Sequence, residues 1–100
     1  MDAIYSPNLK TREEYARDHP NLVMPYPTKS IGNLSIGDIV KVCMLEGNIN
    51  IIFWAIIESR LYDTYNSYTM YIARVDGTES TKLPYGSRIY IRPNNIIDID

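Results

Sequence analysis

The stretch Ile49-Asn50-Ile51-Ile52-Phe53-Trp54-Ala55-Ile56-Ile57-Glu58-Ser59 decides the fold. Successive side chains of a strand point to opposite faces. Ile49, Ile51, Phe53, Ala55 and Ile57 therefore share one face, and Ile52, Trp54 and Ile56 share the other. A strand that is apolar on both faces is central, or is covered on its outer side. A helix crossing a membrane needs about 20 apolar residues, so the short run from Ile51 to Ile57 reads as a buried strand. Trp54, flanked by alanine and isoleucines, is expected in the core.

Working outward, Ile39-Val40-Lys41-Val42-Cys43-Met44-Leu45 reads as the preceding strand, and Glu46-Gly47-Asn48 has the length of a hairpin connection. Downstream, Tyr62 to Ser67 is polar and turn-prone. Tyr68-Thr69-Met70-Tyr71-Ile72-Ala73-Arg74-Val75 is rich in residues that suit a pleated surface. Asp76-Gly77 signals a turn. Arg88-Ile89-Tyr90-Ile91-Arg92 alternates, Pro93-Asn94-Asn95 turns, and Ile96-Ile97-Asp98-Ile99 closes the chain. Short strands at this spacing imply a mainly β fold. The best fit is a small antiparallel SH3-like half-open barrel, whose long second strand bends to serve two sheets and whose last strand returns to the first. An OB-like barrel is the alternative.

The motifs Ile36-Gly37-Asp38-Ile39-Val40-Lys41-Val42, Phe53-Trp54-Ala55-Ile56-Ile57, Ala73-Arg74-Val75-Asp76, Tyr85-Gly86 and Asn95-Ile96-Ile97-Asp98-Ile99 carry a resemblance over residues 36–100. This part is similar to small bacterial and phage SH3-like barrel domains of unknown function. It departs from their layout at Ile51-Ile52, where an acidic–basic pair is usual, at Ala73 in place of glycine, and at Ser87 in place of an acid. The resemblance implies a cytosolic barrel with no known reaction and no cofactor.

Residues 1–35 read differently from the barrel segment, 36–100. Pro7, Pro20, Pro25 and Pro27 punctuate them. Between, Asn8 to Asp18 suits a short helix, with Thr11-Arg12-Glu13-Glu14 as a capping box and Leu9, Tyr15 and Ala16 as a narrow apolar stripe. So short a helix is marginal alone and must dock. His19 to Ser30 then reads as an extended, proline-containing arm. Its Leu22, Val23, Met24 and Tyr26 could cover the outer side of the long strand.

The chemistry available is narrow. The chain has 100 residues, one cysteine and one histidine, so neither a disulfide framework nor a usual zinc or catalytic constellation can be assembled. A nucleophilic thiol needs an adjacent base, and His19 lies in the proline-rich part, so Cys43 reads as a buried strand residue. Asp98 and Asp100 read as a solvated carboxylate tail rather than a cation site, and Glu13 and Glu14 complement the helix dipole. No catalytic, cofactor or metal residue is assigned. No secretory leader is evident at the amino terminus, and a cytoplasmic setting is expected. The frequent isoleucine, asparagine and tyrosine suit an AT-rich genome, such as that of a phage, a large DNA virus or a low-GC bacterium.

Two surfaces stand out as candidate interfaces. Tyr62, Tyr65 and Tyr68 lie in or beside one connection, and Arg88, Tyr90 and Arg92 share one face of one strand. Tyrosine and arginine dominate protein hot spots, so the leading expectation is a non-enzymatic protein-binding module, a phage- or virus-encoded modulator of a host protein. Aromatics beside arginines also suit single-stranded nucleic acid. Residues 36–100, however, hold eight carboxylates (Asp38, Glu46, Glu58, Asp63, Asp76, Glu79, Asp98 and Asp100) against six lysines and arginines, and the net charge is −2. Phosphate binding needs clustered positive excess, so nucleic acid is the second reading. A small enzyme or enzyme subunit is the third.

Overall fold

A computed structural model describes residues 3–21, 31–64, 68–77 and 83–100; of Asp63 and Tyr68 it describes the backbone only. Strands β1 (Ile4–Tyr5), β2 (Ile39–Glu46), β3 (Ile49–Asp63), β4 (Tyr68–Val75), β5 (Arg88–Ile91) and β6 (Asp98–Ile99) form one sheet. Its order is β1-β5-β4-β3-β2-β6. One helix, α1 (Arg12–Asp18), and a 3-10 turn (Pro93–Asn95) complete the described elements.

The protein is thus mainly β, with an unclosed sheet. An all-antiparallel arrangement was the expectation; the sheet is mixed, because β1 runs parallel to β5 (Ile4 opposite Arg88, Tyr5 opposite Ile89). The chain enters along β5, crosses to the far side, and lays Asn8–Lys10 against β2. There the Leu45 N–H donates to the Asn8 carbonyl and the Lys10 N–H to the Cys43 carbonyl, both at 2.9 Å. This pairing also shortens the expected helix. Asn8 to Lys10 stay extended because β2 needs a partner on that edge, and Leu9 packs on the core instead of joining a helical stripe.

The long strand behaves as its two apolar faces imply. Its first half pairs with β2 from Ile49 to Ile56, and its second with β4 from Ala55 to Asp63. The register shifts between Ile57 and Ser59, so Glu58 is extra there, a bulge that bends a strand and sharpens its twist. The β2–β3 turn closes through Gly47, whose φ of +62° is the left-handed region that a side chain disfavours. After β5, Pro93 starts the 3-10 turn and β6 pairs back onto β2, Val40 opposite Ile99.

The core lies on one face of the sheet. Val40, Val42, Phe53, Ala55, Ile57 and Ile89 are among its buried members. Tyr71 is fully buried there, and its hydroxyl donates to the Ile31 carbonyl (2.7 Å) and accepts from the Leu34 N–H (3.1 Å). That polar pin holds the 31–34 segment over the core. Trp54 is not a core residue as expected. Parity puts it on the opposite face, half-buried, with the Lys41 ammonium 5.7 Å from its ring centre.

Helix α1 starts as its sequence dictates. The Glu14 N–H donates to Thr11 Oγ1 and the Thr11 N–H to Glu14 Oε1, each at 3.1 Å. The helix docks through Tyr15, which is buried with Cys43 and Ile97. Burying such a side chain is worth about 1.5–3 kcal/mol, which the helix could not gain alone. Arg12 Nη1 donates to the carbonyls of Ile97 (2.5 Å) and Ile96 (3.3 Å), tying the helix to the approach to β6. The expected arm with Leu22, Val23, Met24 and Tyr26 lies outside the described residues.

Candidate functional site: an open sheet face and an arginine cleft

The sheet face turned away from the core is only partly covered. Register aligns Cys43 with Ile52, Lys41 with Trp54, and Ile39 with Ile56. Tyr15 of α1 closes the Cys43 end. Beyond it Ile52 is 43% exposed, and Trp54 and Ile56 are half-buried. The result is an apolar strip bordered by the Lys41 ammonium.

Charge gathers at the strip's far side. Ile39, Ile56, Arg74 and Arg88 form one row across β2, β3, β4 and β5. Arg74 and Arg88 stand directly opposite one another, a repulsive arrangement by itself. Glu58, the extra residue of the bulge, resolves it. Its Oε2 accepts from Arg74 Nε (3.1 Å) and from Arg74 Nη2, and its Oε1 accepts from Arg88 Nε (3.1 Å). Arg88, one of the two arginines that suggested a nucleic-acid face, is therefore held together with Arg74 by one carboxylate.

Arg88, Tyr90 and Arg92, expected to act together, are divided. Arg88 belongs to the Glu58 cluster, whereas Tyr90 and Arg92 line a cleft of about 560 Å³ between the Ser6–Leu9 segment and Met70 near the start of β4. Arg92 also borders a second depression, of about 350 Å³, with Thr69, Pro93 and Asn94. The cleft floor is pinned by Asn95. This buried amide accepts from the Arg92 N–H (2.9 Å) and donates to the carbonyls of Lys10 (3.3 Å) and Leu9 (3.4 Å). No side-chain hydrogen bond or ion pair engages the Arg92 guanidinium among the described residues.

Of the tyrosine-rich connection, Tyr62 is exposed at 64%, beside Leu61 at 41%. Tyr65 and the side chain of Tyr68 lie outside the described residues. Two exposed tyrosines escaped the sequence reading. Tyr85, at 78%, and Tyr5 line a shallow cleft with Arg88. The signal for Tyr85 was the turn marked by Gly86, whose φ is +83°. Tyr5 had none, since its exposure follows from the parallel pairing with β5.

Cys43 is fully buried, and burial pushes its thiol pKa up. That disfavours the thiolate a nucleophile needs. His19 ends α1, its Nδ1 2.9 Å from the Tyr15 carbonyl and its ring stacked on Tyr15. Nearby, Lys10 and Asp18 form an ion pair, which raises the pKa of Lys10 and lowers that of Asp18 through their mutual hydrogen bond. Among the described residues no three His, Cys, Asp or Glu side chains could hold a metal ion, and no helix is long and apolar enough to cross a membrane. Comparison with protein-family models, curated proteins and solved structures finds no match to this chain.

Proposed function

We propose that the protein is a non-enzymatic protein-binding module, an SH3-like half-open barrel acting in a cytoplasm as a phage- or virus-encoded modulator of a host protein. The observation that carries the binding reading is the open sheet face. Ile52, Trp54 and Ile56 leave an apolar strip in water, with charged residues at its rim, a pattern typical of protein contact surfaces. The Glu58 cluster favours a protein over a nucleic acid, since it cancels positive charge where a phosphate backbone would want it. Support for the barrel class comes from the bent β3 and from the return of β6 to β2.

The test is capture from the source cell, followed by binding of the purified partner to wild type and to Ile52→Asp. Ile52 is already substantially exposed, so the variant should melt as wild type does. Loss of binding with modest salt sensitivity is expected. Trp54 is the sole tryptophan, so its emission should shift when the face is covered. Undiminished binding by Ile52→Asp with no change in Trp54 emission would overturn the assignment of the face. Salt-steep binding to an oligonucleotide would replace the partner class.

A further inference from the structure

The β4–β5 ladder stops early, and the reason is chemical. Along β4 the Val75 N–H donates toward β5, to the Ser87 carbonyl (2.8 Å), while the next N–H, of Asp76, donates toward β3, to Trp54 (3.0 Å). Backbone groups alternate sides along a strand, so Ala73, Tyr71 and Thr69 also face β5. Ala73 lies opposite Ile89 and Tyr71 opposite Ile91. The next position, opposite Thr69, falls to Pro93. Proline has no N–H to give, and here it turns the chain into the 3-10 segment. The edge of β4 at Thr69 is thus left without a strand partner from β5, and it borders the depression lined by Arg92.

Three further features converge there. Arg92 is exposed, has no side-chain hydrogen bond or ion pair among the described residues, and borders both depressions. Arg74 and Arg88 are occupied by Glu58, so of these three arginines Arg92 is the one without a carboxylate partner among the described residues. Leu9, Met70 and Tyr90 supply apolar wall in the larger cleft. Asn95 fixes the opposing segment from below, so the cleft exists before anything enters it.

We propose that this cleft receives an extended peptide bearing a carboxylate: its backbone pairs with the free edge of β4 at Thr69, its carboxylate meets Arg92, and an apolar neighbour lodges against Leu9, Met70 and Tyr90. Strand addition supplies affinity through main-chain bonds, and side-chain pockets supply selectivity. A guanidinium favours a carboxylate because it offers a planar fork of donors. The inference shares the protein-binding reading but uses a different surface. Ile52→Asp, which tests that reading, should therefore leave peptide binding here unchanged.

The experiment is a titration of the isotope-labelled full chain, read from backbone amide shifts. The probes are acetyl-Val-Thr-Glu-Val-Thr-amide, its Gln and Lys counterparts at the acidic position, an N-methylated version of the acidic peptide, inorganic phosphate and a short oligothymidylate. The acidic peptide should move the amides of Ser6, Asn8, Leu9, Thr69, Met70, Arg92, Asn94 and Asn95. Its affinity should exceed that of the Gln peptide by about tenfold or more, the range of a charge-assisted contact. Arg92→Gln should erase that difference, and Arg92→Lys should restore part of it. Backbone N-methylation should weaken binding to the unaltered protein, an arm that needs no variant. Equal binding of the acidic and Lys peptides, or indifference to N-methylation, would overturn the proposal. So would saturation of the same amides by phosphate or oligothymidylate, which would make the site a phosphate site.

Discussion

Glu58→Gln isolates the electrostatic argument about the open face. The change keeps the side chain's shape and removes one negative charge between two guanidiniums that register directly opposite each other on β4 and β5. Both arginines are about half exposed and Glu58 is 20% exposed, so water screens the pairs and each is worth only about 0.2–1 kcal/mol. The unmasked cross-strand repulsion adds about as much again. Two pairs and one repulsion together come to about 0.6–3 kcal/mol, and each kcal/mol lowers the melting temperature by about 4–8 °C in a domain of this size. The second consequence concerns binding. Two freed guanidiniums make a compact cationic patch, and neutralising two phosphates of a single strand gives a log–log salt slope of about −1.4. Wild type should ignore oligothymidylate at low salt, and Glu58→Gln should bind it weakly with that slope. The assay is fluorescence anisotropy across a salt series, beside calorimetry of both proteins. Tight oligothymidylate binding by wild type, unaltered in Glu58→Gln, would refute the claim that Glu58 closes this face to nucleic acid.

Other consequences are direct. Tyr71→Phe removes a buried hydroxyl that serves two backbone groups; the expected loss is about 1–3 kcal/mol, seen as a lower urea midpoint with an unchanged m-value and faster exchange of the Leu34 amide. Asn95→Ala strips three hydrogen bonds from the join between the 3-10 turn and the amino-terminal segment and should cost about 1–3 kcal/mol, with exchange protection lost first at Leu45 and Lys10. Cys43 should resist a thiol reagent in the folded protein and react only through opening of α1. Its raised pKa also sets a sign: stability linked to the thiol is full below about pH 9, the ordinary ionisation range, and falls as pH rises further, because the unfolded chain loses its proton first. Cys43→Ser should flatten that alkaline decline in a urea-midpoint series.

Much of the fold was legible because local signals agreed. Alternation from Ile49 to Ile57 gave a strand with two apolar faces, Thr11 and Glu14 gave the helix start, and Gly47 and Pro93 marked turns that the structure contains. What failed was what depends on distant partners. Asn8 to Lys10 have a composition compatible with a helix, yet they extend because the edge of β2, some 35 residues away in sequence, takes their backbone groups. Trp54 looked central because its neighbours are apolar. Parity had already placed it opposite Phe53, but sequence alone does not say which face of a doubly apolar strand meets the core. The structure answers through Ala73 and Ile89, whose burial beside Ala55 and Ile57 defines the inside.

The arginines show the same divide at the level of the site. Alternation correctly put Arg88 and Tyr90 on one face and extended it to Arg92. It could not show that a bulge at Glu58 would bring a carboxylate under Arg88 and Arg74, because a bulge is a mismatch between two strands and neither strand encodes it alone. Nor could it show that Pro93, read as a turn, leaves the β4 edge short of one partner. A single proline thus ends the sheet, frees a backbone position and leaves Arg92 at the mouth of the cleft, while the extra Glu58 binds the other two arginines. Residues alike in the sequence come to differ because their neighbours across the strands differ. That is why charge counted along the chain disfavours nucleic acid only in bulk, whereas charge paired in space separates Arg92, which has no carboxylate partner among the described residues, from Arg74 and Arg88, which share Glu58.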